Sequence, residues 1–202
     1  MSYLNPLHPP VTTAHRSQFS SLGGAVHGSS PSTFLSPFRR RLPQAPYTPS
    51  SKWRNATGRL NEIHSAITFD FIGYSRQGVP MRELSTRSAN ALSQMIQGAE
   101  DHVLAHTGLA RITLRILWPG YEHIEWARSV ELTVHGPITR SQLGAAISMN
   151  FARFIEKNRS ETARSSEWHI GPNGIRFEHL VLISLCNVFE DVWQADVAVD
   201  LR

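Results

Sequence analysis

Four side chains in this sequence could serve as general acids or bases: His123, Glu125, His169 and His179. Histidine and glutamate are common proton-transfer groups in enzymes. Two of the four lie in a first predicted hairpin and two lie in or after a second one, so a single sheet could bring them together. A small enzyme with an unrecognised His/acid pocket is therefore one reading of the chain, with these four residues as its candidate catalytic groups.

A second pair of histidines, His102 and His106, is spaced by four residues, which can place two metal ligands on one helical turn. No third ligand accompanies them, and the spacing is not the two-His-plus-Glu pattern of zinc proteases. The one cysteine, Cys186, lies in an apolar run, which predicts a buried thiol and excludes an intramolecular disulfide. We expect no metal and no cofactor.

Motifs for other kinds of chemistry are absent from the sequence. Gly23-Gly24 lacks the Lys and Ser/Thr that complete a phosphate-binding loop, and there is no Gly-x-Ser-x-Gly nucleophile elbow. These absences favour a non-enzymatic protein-interaction module as the leading interpretation. The small enzyme is the alternative.

The charge is divided near residue 60. Residues 1–60 hold seven basic and no acidic residues, whereas residues 61–202 hold 13 basic and 16 acidic ones. Residues 1–60 are also rich in Ser and Pro, so they bury too little apolar surface to offset the entropy cost of ordering. We predict a disordered basic arm at 1–60 and a single domain at 61–202.

The arm has three candidate roles. The cluster Arg39-Arg40-Arg41 could be a docking or targeting patch for a protein partner, tunable by phosphate on Ser36 or Thr48. An acid-free composition is also found in organelle transit peptides, and a basic arm can bind nucleic-acid phosphates. The leading prediction is a regulatory or targeting arm that contacts a protein. Organelle import and nucleic-acid association are the alternatives.

The compartment follows from what the sequence lacks. No apolar run reaches the length of a membrane-spanning helix, and no apolar segment near the start is typical of a signal peptide. The single cysteine fits a reducing environment. We therefore expect a cytoplasmic or nuclear protein without a membrane span.

Residues 111–131 predict a first β-hairpin around a Pro-Gly turn at 119–120. Proline presets φ, and glycine supplies the positive φ that a type II turn requires. Apolar residues alternate on both strands, and a three-residue loop keeps them on one face. The pairs predicted by this register are Leu114 with Trp126, Ile116 with Ile124 and Arg115 with Glu125.

The remaining elements follow from the spacing of apolar residues. Alternation predicts strands over 67–73 and 193–201 and a second hairpin over 168–177, whereas the apolar run 180–188 favours a strand over a helix. One helix is capped by Ser88 and stops at Gly98. A longer one begins with a capping box formed by Thr139 and Gln142. Its apolar stripe should pack on the sheet and consists of Leu143, Ile147, Phe151, Phe154 and Ile155.

Together these elements predict an α+β fold: an antiparallel sheet of about five to seven strands with one or two helices on one face. Three motifs also carry a likeness: the Trp-Pro-Gly-Tyr turn at 118–121, the Ile-Thr-Arg helix start at 138–140, and the Leu-Val-Leu-Ile-Ser-Leu run at 180–185 with its later Trp-Gln pair. In these motifs the chain resembles a family of uncharacterised proteins from mushroom-forming (basidiomycete) fungi. The resemblance implies a fungal source and a strand over 180–186, and it implies no activity.

Overall fold

The computed structural model describes residues 34–44, 64–133 and 136–202, which form a mixed seven-stranded sheet with helices packed on one face. Its strands are β1 (Arg39–Arg41), β2 (Ile67–Thr68), β3 (Val79–Pro80), β4 (Arg111–Ile116), β5 (Trp126–Glu131), β6 (Leu180–Phe189) and β7 (Val192–Asp200). Its helices are α1 (Met81–Thr86), α2 (Ala89–Met95) and α3 (Arg140–Asn158), with 3-10 helices at Ala105–Thr107 and Phe177–His179. The predicted α+β class is confirmed.

The two longest strands, β6 and β7, form an antiparallel hairpin at the centre of the sheet. The order across the sheet is β2-β6-β7-β4-β5, while β3 pairs with β6 and β1 pairs with β7. Strand β4 joins β7 in parallel, so the prediction of an antiparallel sheet is wrong at this pair. An alternating apolar pattern is the same for either strand direction, and for that reason the sequence did not reveal it.

The first predicted hairpin exists as β4 and β5, but its predicted register is wrong. Ile116 pairs with Trp126 and Leu114 pairs with Arg128, so residues 117–125 form the connecting loop. The register differs from the prediction by two residues, which leaves every side chain on its predicted face. Trp126 is buried, as expected for a core residue.

The Pro-Gly turn forms where it was predicted, but it begins a longer loop. The N–H of Tyr121 donates to the carbonyl of Trp118 (2.9 Å), and Gly120 has a φ of +83°. The loop is then held by distant residues: the Trp118 indole N–H donates to the Trp168 carbonyl (2.8 Å), and the Ile170 N–H donates to the Tyr121 hydroxyl (3.0 Å). These tertiary hydrogen bonds explain why the loop is longer than the turn alone suggests.

The second predicted hairpin, over 168–177, is wrong. One isolated bridge joins Ile170 and Ile175, and it is parallel. The Ile175 N–H donates to the His169 carbonyl (2.7 Å), so the chain turns back on itself before two strands can pair. Gly174 permits this close approach, because a Cβ at that position would lie 2.2 Å from the same carbonyl oxygen.

Both predicted helices are confirmed. The Ser88 side chain caps α2 by accepting the Ala91 N–H, and Thr139 and Gln142 form the capping box of α3. The whole predicted stripe of α3 is buried in the largest hydrophobic cluster of the described residues, called here the main core. Helix α1 is an addition that the sequence analysis missed. It has six residues and buries two of them, too few to produce a helical period.

Strands β6 and β7 confirm the strands predicted over 180–188 and near the C-terminus. The alternating sequence of β7 predicts a half-buried strand, yet all its residues are buried. Trp193 and its alternate neighbours pack in the main core, whereas Gln194, Asp196 and Asp200 lie on the opposite side, called here the outer face. The sheet therefore has polar side chains buried on its outer face.

Strand β1 lies inside the segment that was predicted to be disordered. Arg39 pairs with Asp200, and the next two arginines continue the antiparallel register along β7. The prediction of disorder is therefore wrong for residues 34–44, and the other residues of the predicted arm lie outside the described residues. No helix in the described ranges is long and apolar enough to cross a membrane.

Candidate interaction site at strand β1

Residues 34–44, called here the β1 segment, cross one edge of β7. The Leu42 N–H donates to the Val197 carbonyl (2.8 Å), and the Leu201 N–H donates to the Phe38 carbonyl (3.4 Å). The β1 segment is short and carries three consecutive arginines, so its side chains rather than a long hydrogen-bonded ladder must supply much of its attachment. These are the three arginines that the sequence analysis named as interaction residues.

Arg39 is buried in an ion pair with Asp200. Its guanidinium lies 3.0 Å from a carboxylate oxygen of Asp200, and it also donates to the Gln77 carbonyl. Arg202 binds the same carboxylate at 2.7 Å. Burial alone would raise the pKa of Asp200, but the hydrogen bonds from Arg202 and Arg39 outweigh it and hold that pKa below its usual value. Asp200 is therefore an ionised anchor for Arg39.

Arg41 reaches a second buried carboxylate. Its guanidinium lies 3.3 Å from Asp196, whose side chain is almost completely buried on the outer face. Burial raises the pKa of Asp196, and the positive charge of Arg41 opposes that rise without cancelling it. Arg39 and Arg41 thus sit at alternate positions of β1, and each binds its own aspartate on β7. Arg39 lies opposite Asp200, whereas Arg41 lies opposite Ala198 and reaches diagonally to Asp196.

Arg40, between them, points to the other side and has different partners. It lies 3.0 Å from Glu167, and its guanidinium is 5.2 Å from the centre of the Trp168 ring. Both members of the ion pair are about half exposed, so the pair contributes little to stability. The three arginines are therefore strand residues with partners, whereas the sequence predicts a basic patch on a disordered arm.

A groove of about 450 Å³ lies between the β1 segment and the loop that precedes β3. The Asp70 carboxylate holds that loop by accepting the N–H groups of Gln77 (2.9 Å) and Gly78 (3.1 Å). Gly78 has a φ of +73°, and a Cβ there would lie 2.7 Å from the Leu182 carbonyl oxygen, so the loop packs closely on β6. The lining of this edge groove consists of residues 35–39, Phe71, Tyr74, Gln77, Gly78, Pro80 and Arg202.

Exposed apolar side chains concentrate at the edge groove. Six large hydrophobic side chains are exposed among the described residues; three of them line the groove, and two more are next to lining residues in the sequence. Leu35, Phe38 and Tyr74 line the groove, and Leu35 is 75% exposed. The other two, Ile72 and Leu201, are chain neighbours of lining residues. Exposed apolar patches of this kind mark binding surfaces more often than isolated surface hydrophobics do.

The charge at the edge groove is positive. Two arginines, Arg39 and Arg202, line it, and the lining contains no acidic residue. Both arginines bind the single side-chain carboxylate of Asp200. The groove therefore offers apolar contact together with a cationic end.

The four candidate catalytic residues have separate surroundings. His169 and His123 both contact Tyr121: the His169 Nδ1 atom lies 3.4 Å from its hydroxyl, and the His123 ring stacks on its ring at 6.4 Å. Glu125 is exposed and pairs with Arg115 at 3.1 Å. The structure thus brings two of the candidates to one tyrosine.

His179, the fourth candidate, is placed beside Arg176. Its Nδ1 atom accepts the Arg176 N–H (3.2 Å), so the imidazole caps its own 3-10 helix. Burial lowers the pKa of His179, and the charge of Arg176 lowers it further. These contacts give the imidazole a local structural partner.

The metal candidates His102 and His106 lie in the segment between α2 and β4. The His106 ring packs edge-on against the His64 ring at 5.8 Å. No group of three or more potential metal ligands occurs in the described parts of the chain. The arrangement gives no support to a metal centre at these histidines.

Asp196 and Asp200 are site residues that the sequence pattern did not indicate. Both were assigned to the polar side of an alternating strand, and their spacing of four residues puts them on the same face. The signal that could have found them is complementary charge: two aspartates on one strand face can pair with arginines on a facing strand, one directly opposite and one on the diagonal.

Comparison with protein-family models, curated proteins and solved structures finds no match for this chain. The resemblance to basidiomycete proteins therefore stays a prediction from the three motifs that carry it. The site must be interpreted from its own geometry.

Proposed function

We propose that this protein is a non-enzymatic interaction module that binds a segment of a partner protein in the edge groove. The observation that carries the proposal is that three exposed apolar side chains, Leu35, Phe38 and Tyr74, line one groove with a cationic end. The matching ligand is an extended peptide segment with apolar side chains and one carboxylate. Apolar burial would supply most of the binding free energy, and the carboxylate would meet Arg202 or Arg39.

The charge of the groove selects this ligand over the alternatives. An exposed apolar surface without charge would accept any hydrophobic segment, whereas a lining with two arginine side chains and no acidic side chain favours a segment that carries an acid. A nucleic acid would require a run of uncompensated basic residues, and the arginines of β1 face carboxylates instead. An enzyme would require converging acid and base groups, and two of the four candidates have unrelated partners.

The test is selection of peptides from a phage-displayed random library with the full chain as bait. The enriched peptides should combine apolar residues with Asp or Glu. Their binding, measured by fluorescence polarisation, should weaken at least about tenfold in the double variant Phe38→Ser/Tyr74→Ser, which corresponds to about 1.4 kcal/mol.

The matched control is Met149→Ser, which removes a large hydrophobic side chain that is 47% exposed and lies on α3 outside the groove. This variant should bind the selected peptides as the unchanged chain does. If no peptides are enriched, or if the groove variant binds them as well as the Met149 variant does, the groove is not the binding surface.

A further inference from the structure

The edge of β7 beneath the β1 segment is itself shaped to recognise an arginine-bearing strand. Asp196 and Asp200 lie on one face of β7. Asp196 forms an ion pair with Arg41 at 3.3 Å, and Asp200 forms one with Arg39 at 3.0 Å. The backbone between them pairs with the incoming strand in antiparallel register. Recognition thus combines main-chain hydrogen bonds with two carboxylates: one lies opposite Arg39, and the other is reached diagonally by Arg41, which pairs with Ala198.

The attachment of the β1 segment is compatible with its release. Strand pairing covers three residues, and two of the large apolar side chains in this segment, Leu35 and Phe38, are exposed. Leu42 is the large apolar side chain of this segment that is fully buried. The ion pairs that hold Arg40 and Arg41 involve guanidinium groups about half exposed to solvent, so solvent screening weakens them.

Release would leave a surface with defined chemistry. Asp196 and Asp200 would lose the guanidinium groups of β1, and the N–H and C=O groups of β7 that now bond β1 would be open at a sheet edge. Asp200 would still bind Arg202, whereas Asp196 would lose its ion pair with Arg41. A buried carboxylate that has lost its ion pair disfavours an apolar or acidic strand and favours a basic one. An open strand edge in turn favours an extended segment over a helix.

We propose that the β1 segment occupies a binding site for a partner protein. This edge of β7 binds an extended segment of that partner with arginines at alternate positions (Arg-X-Arg). The partner displaces β1 and takes its place. The surface differs from the proposed peptide site in the edge groove, because it lies under the β1 segment and uses the two aspartates. The two sites exclude each other, since residues 35–39 line the groove and leave with β1. The stability of β1 on β7 sets the apparent affinity for the partner segment, because only molecules with β1 released can bind it.

The probe is a fluorescently labelled peptide with the sequence of residues 34–44, titrated into the full-length chain. The double variant Arg39→Ala/Arg41→Ala weakens the internal strand and should bind the peptide at least about tenfold more tightly than the unchanged chain, because more molecules have the edge open. The same variant with Asp196→Asn and Asp200→Asn added should lose this binding.

Matched peptides separate strand recognition from general charge attraction. A peptide with alanine in place of Arg39 and Arg41 should bind at least about tenfold more weakly, since it lacks both contacts to the aspartates. A peptide with alanine in place of Arg40 should bind with a change of less than about threefold, because that side chain points away from them. Equal binding of all three peptides, or no binding to the weakened chain, would overturn the proposal.

A second measurement on the unchanged chain covers the case in which the variants do not fold. Hydrogen–deuterium exchange should show the amide of Leu42 exchanging faster than the amides that join β6 to β7, and saturating peptide should speed it further. Exchange of Leu42 only at the rate of global unfolding would overturn the proposal. A concentration-dependent dimer with exchanged β1 segments would also overturn it, by assigning the edge to a second copy of the chain.

Discussion

Replacement of Gln194 by methionine should stabilise the protein. Gln194 lies on the outer face of β7 with 0% exposure, and neither its amide nitrogen nor its amide oxygen has a hydrogen-bond partner in the described structure. A buried polar group without a partner costs about 1–3 kcal/mol, so two such groups cost about 2–6 kcal/mol. Methionine has a similar unbranched shape and carries neither group.

The net change in unfolding free energy is the cost of the two unpartnered polar groups, which methionine removes, minus the cost of packing methionine into the interior. A volume-conserving substitution in a packed interior costs less than about 1.5 kcal/mol. With the middle of the range for two unpartnered groups, about 4 kcal/mol, the Gln194→Met variant should gain about 2.5 kcal/mol in unfolding free energy. A urea slope of about 2 kcal/mol per M would convert this into a rise of about 1 M in the unfolding midpoint.

The assay is urea unfolding followed by circular dichroism, with Gln142→Met as the matched control. The Gln142 amide oxygen accepts the Thr139 N–H in the α3 capping box (2.9 Å), so methionine there should lower stability by about 1 kcal/mol. Opposite signs for the two variants would show that the difference is hydrogen-bond satisfaction. If Gln194→Met destabilises the protein by more than about 1 kcal/mol, the Gln194 amide has a partner and the reasoning is wrong.

Two further predictions concern Tyr121 and Asp196. Tyr121→Phe should lower the free energy of unfolding, measured in urea, by about 1–3 kcal/mol, because the buried Ile170 N–H loses its hydroxyl acceptor. Tyr74→Phe is the control and should change it by less than about 0.5 kcal/mol. Similar decreases for both variants would refute this explanation. Burial raises the pKa of the Asp196 carboxyl group above 3.8, so the folded state binds the carboxyl proton more tightly than the unfolded chain does. The free energy of unfolding therefore falls as the pH rises from 3.8 toward the raised pKa. Asp196→Asn lacks that loss, so its unfolding free energy relative to the unchanged chain should increase with pH in this window. A difference that is flat or decreasing with pH would contradict the buried carboxyl.

Features with a local cause were predictable from the sequence. The capping box at Thr139, the cap at Ser88 and the Pro-Gly turn each depend on residues within a few positions of one another. The apolar stripe of α3 and the apolar run of β6 identified which face of the helix and which strand enter the core. The face of each residue in the first hairpin was also predictable, because alternation fixes side-chain direction even when the pairing partner differs.

Features that depend on distant partners were not predictable in this way. The loop at 117–125 is held by Trp168 and Ile170, so its length and the β4–β5 register follow from contacts between segments about 50 positions apart. The parallel pairing of β4 with β7 also joins distant segments. The candidate catalytic and metal-binding histidines were chosen by residue type, and type alone does not say which side chains meet.

The amino-acid sequence by itself determined the helices with caps, the long central strands and the faces that enter the core, because these depend on local hydrogen bonds and on the period of apolar residues. The tertiary structure alone decided that Arg39 and Arg41 form an edge strand on Asp200 and Asp196. A run of arginines has no apolar period and no local partner, so its own residues favour a solvated chain. Two buried carboxylates on β7 reverse that preference, because they meet the arginines as ionic partners once the sheet has formed.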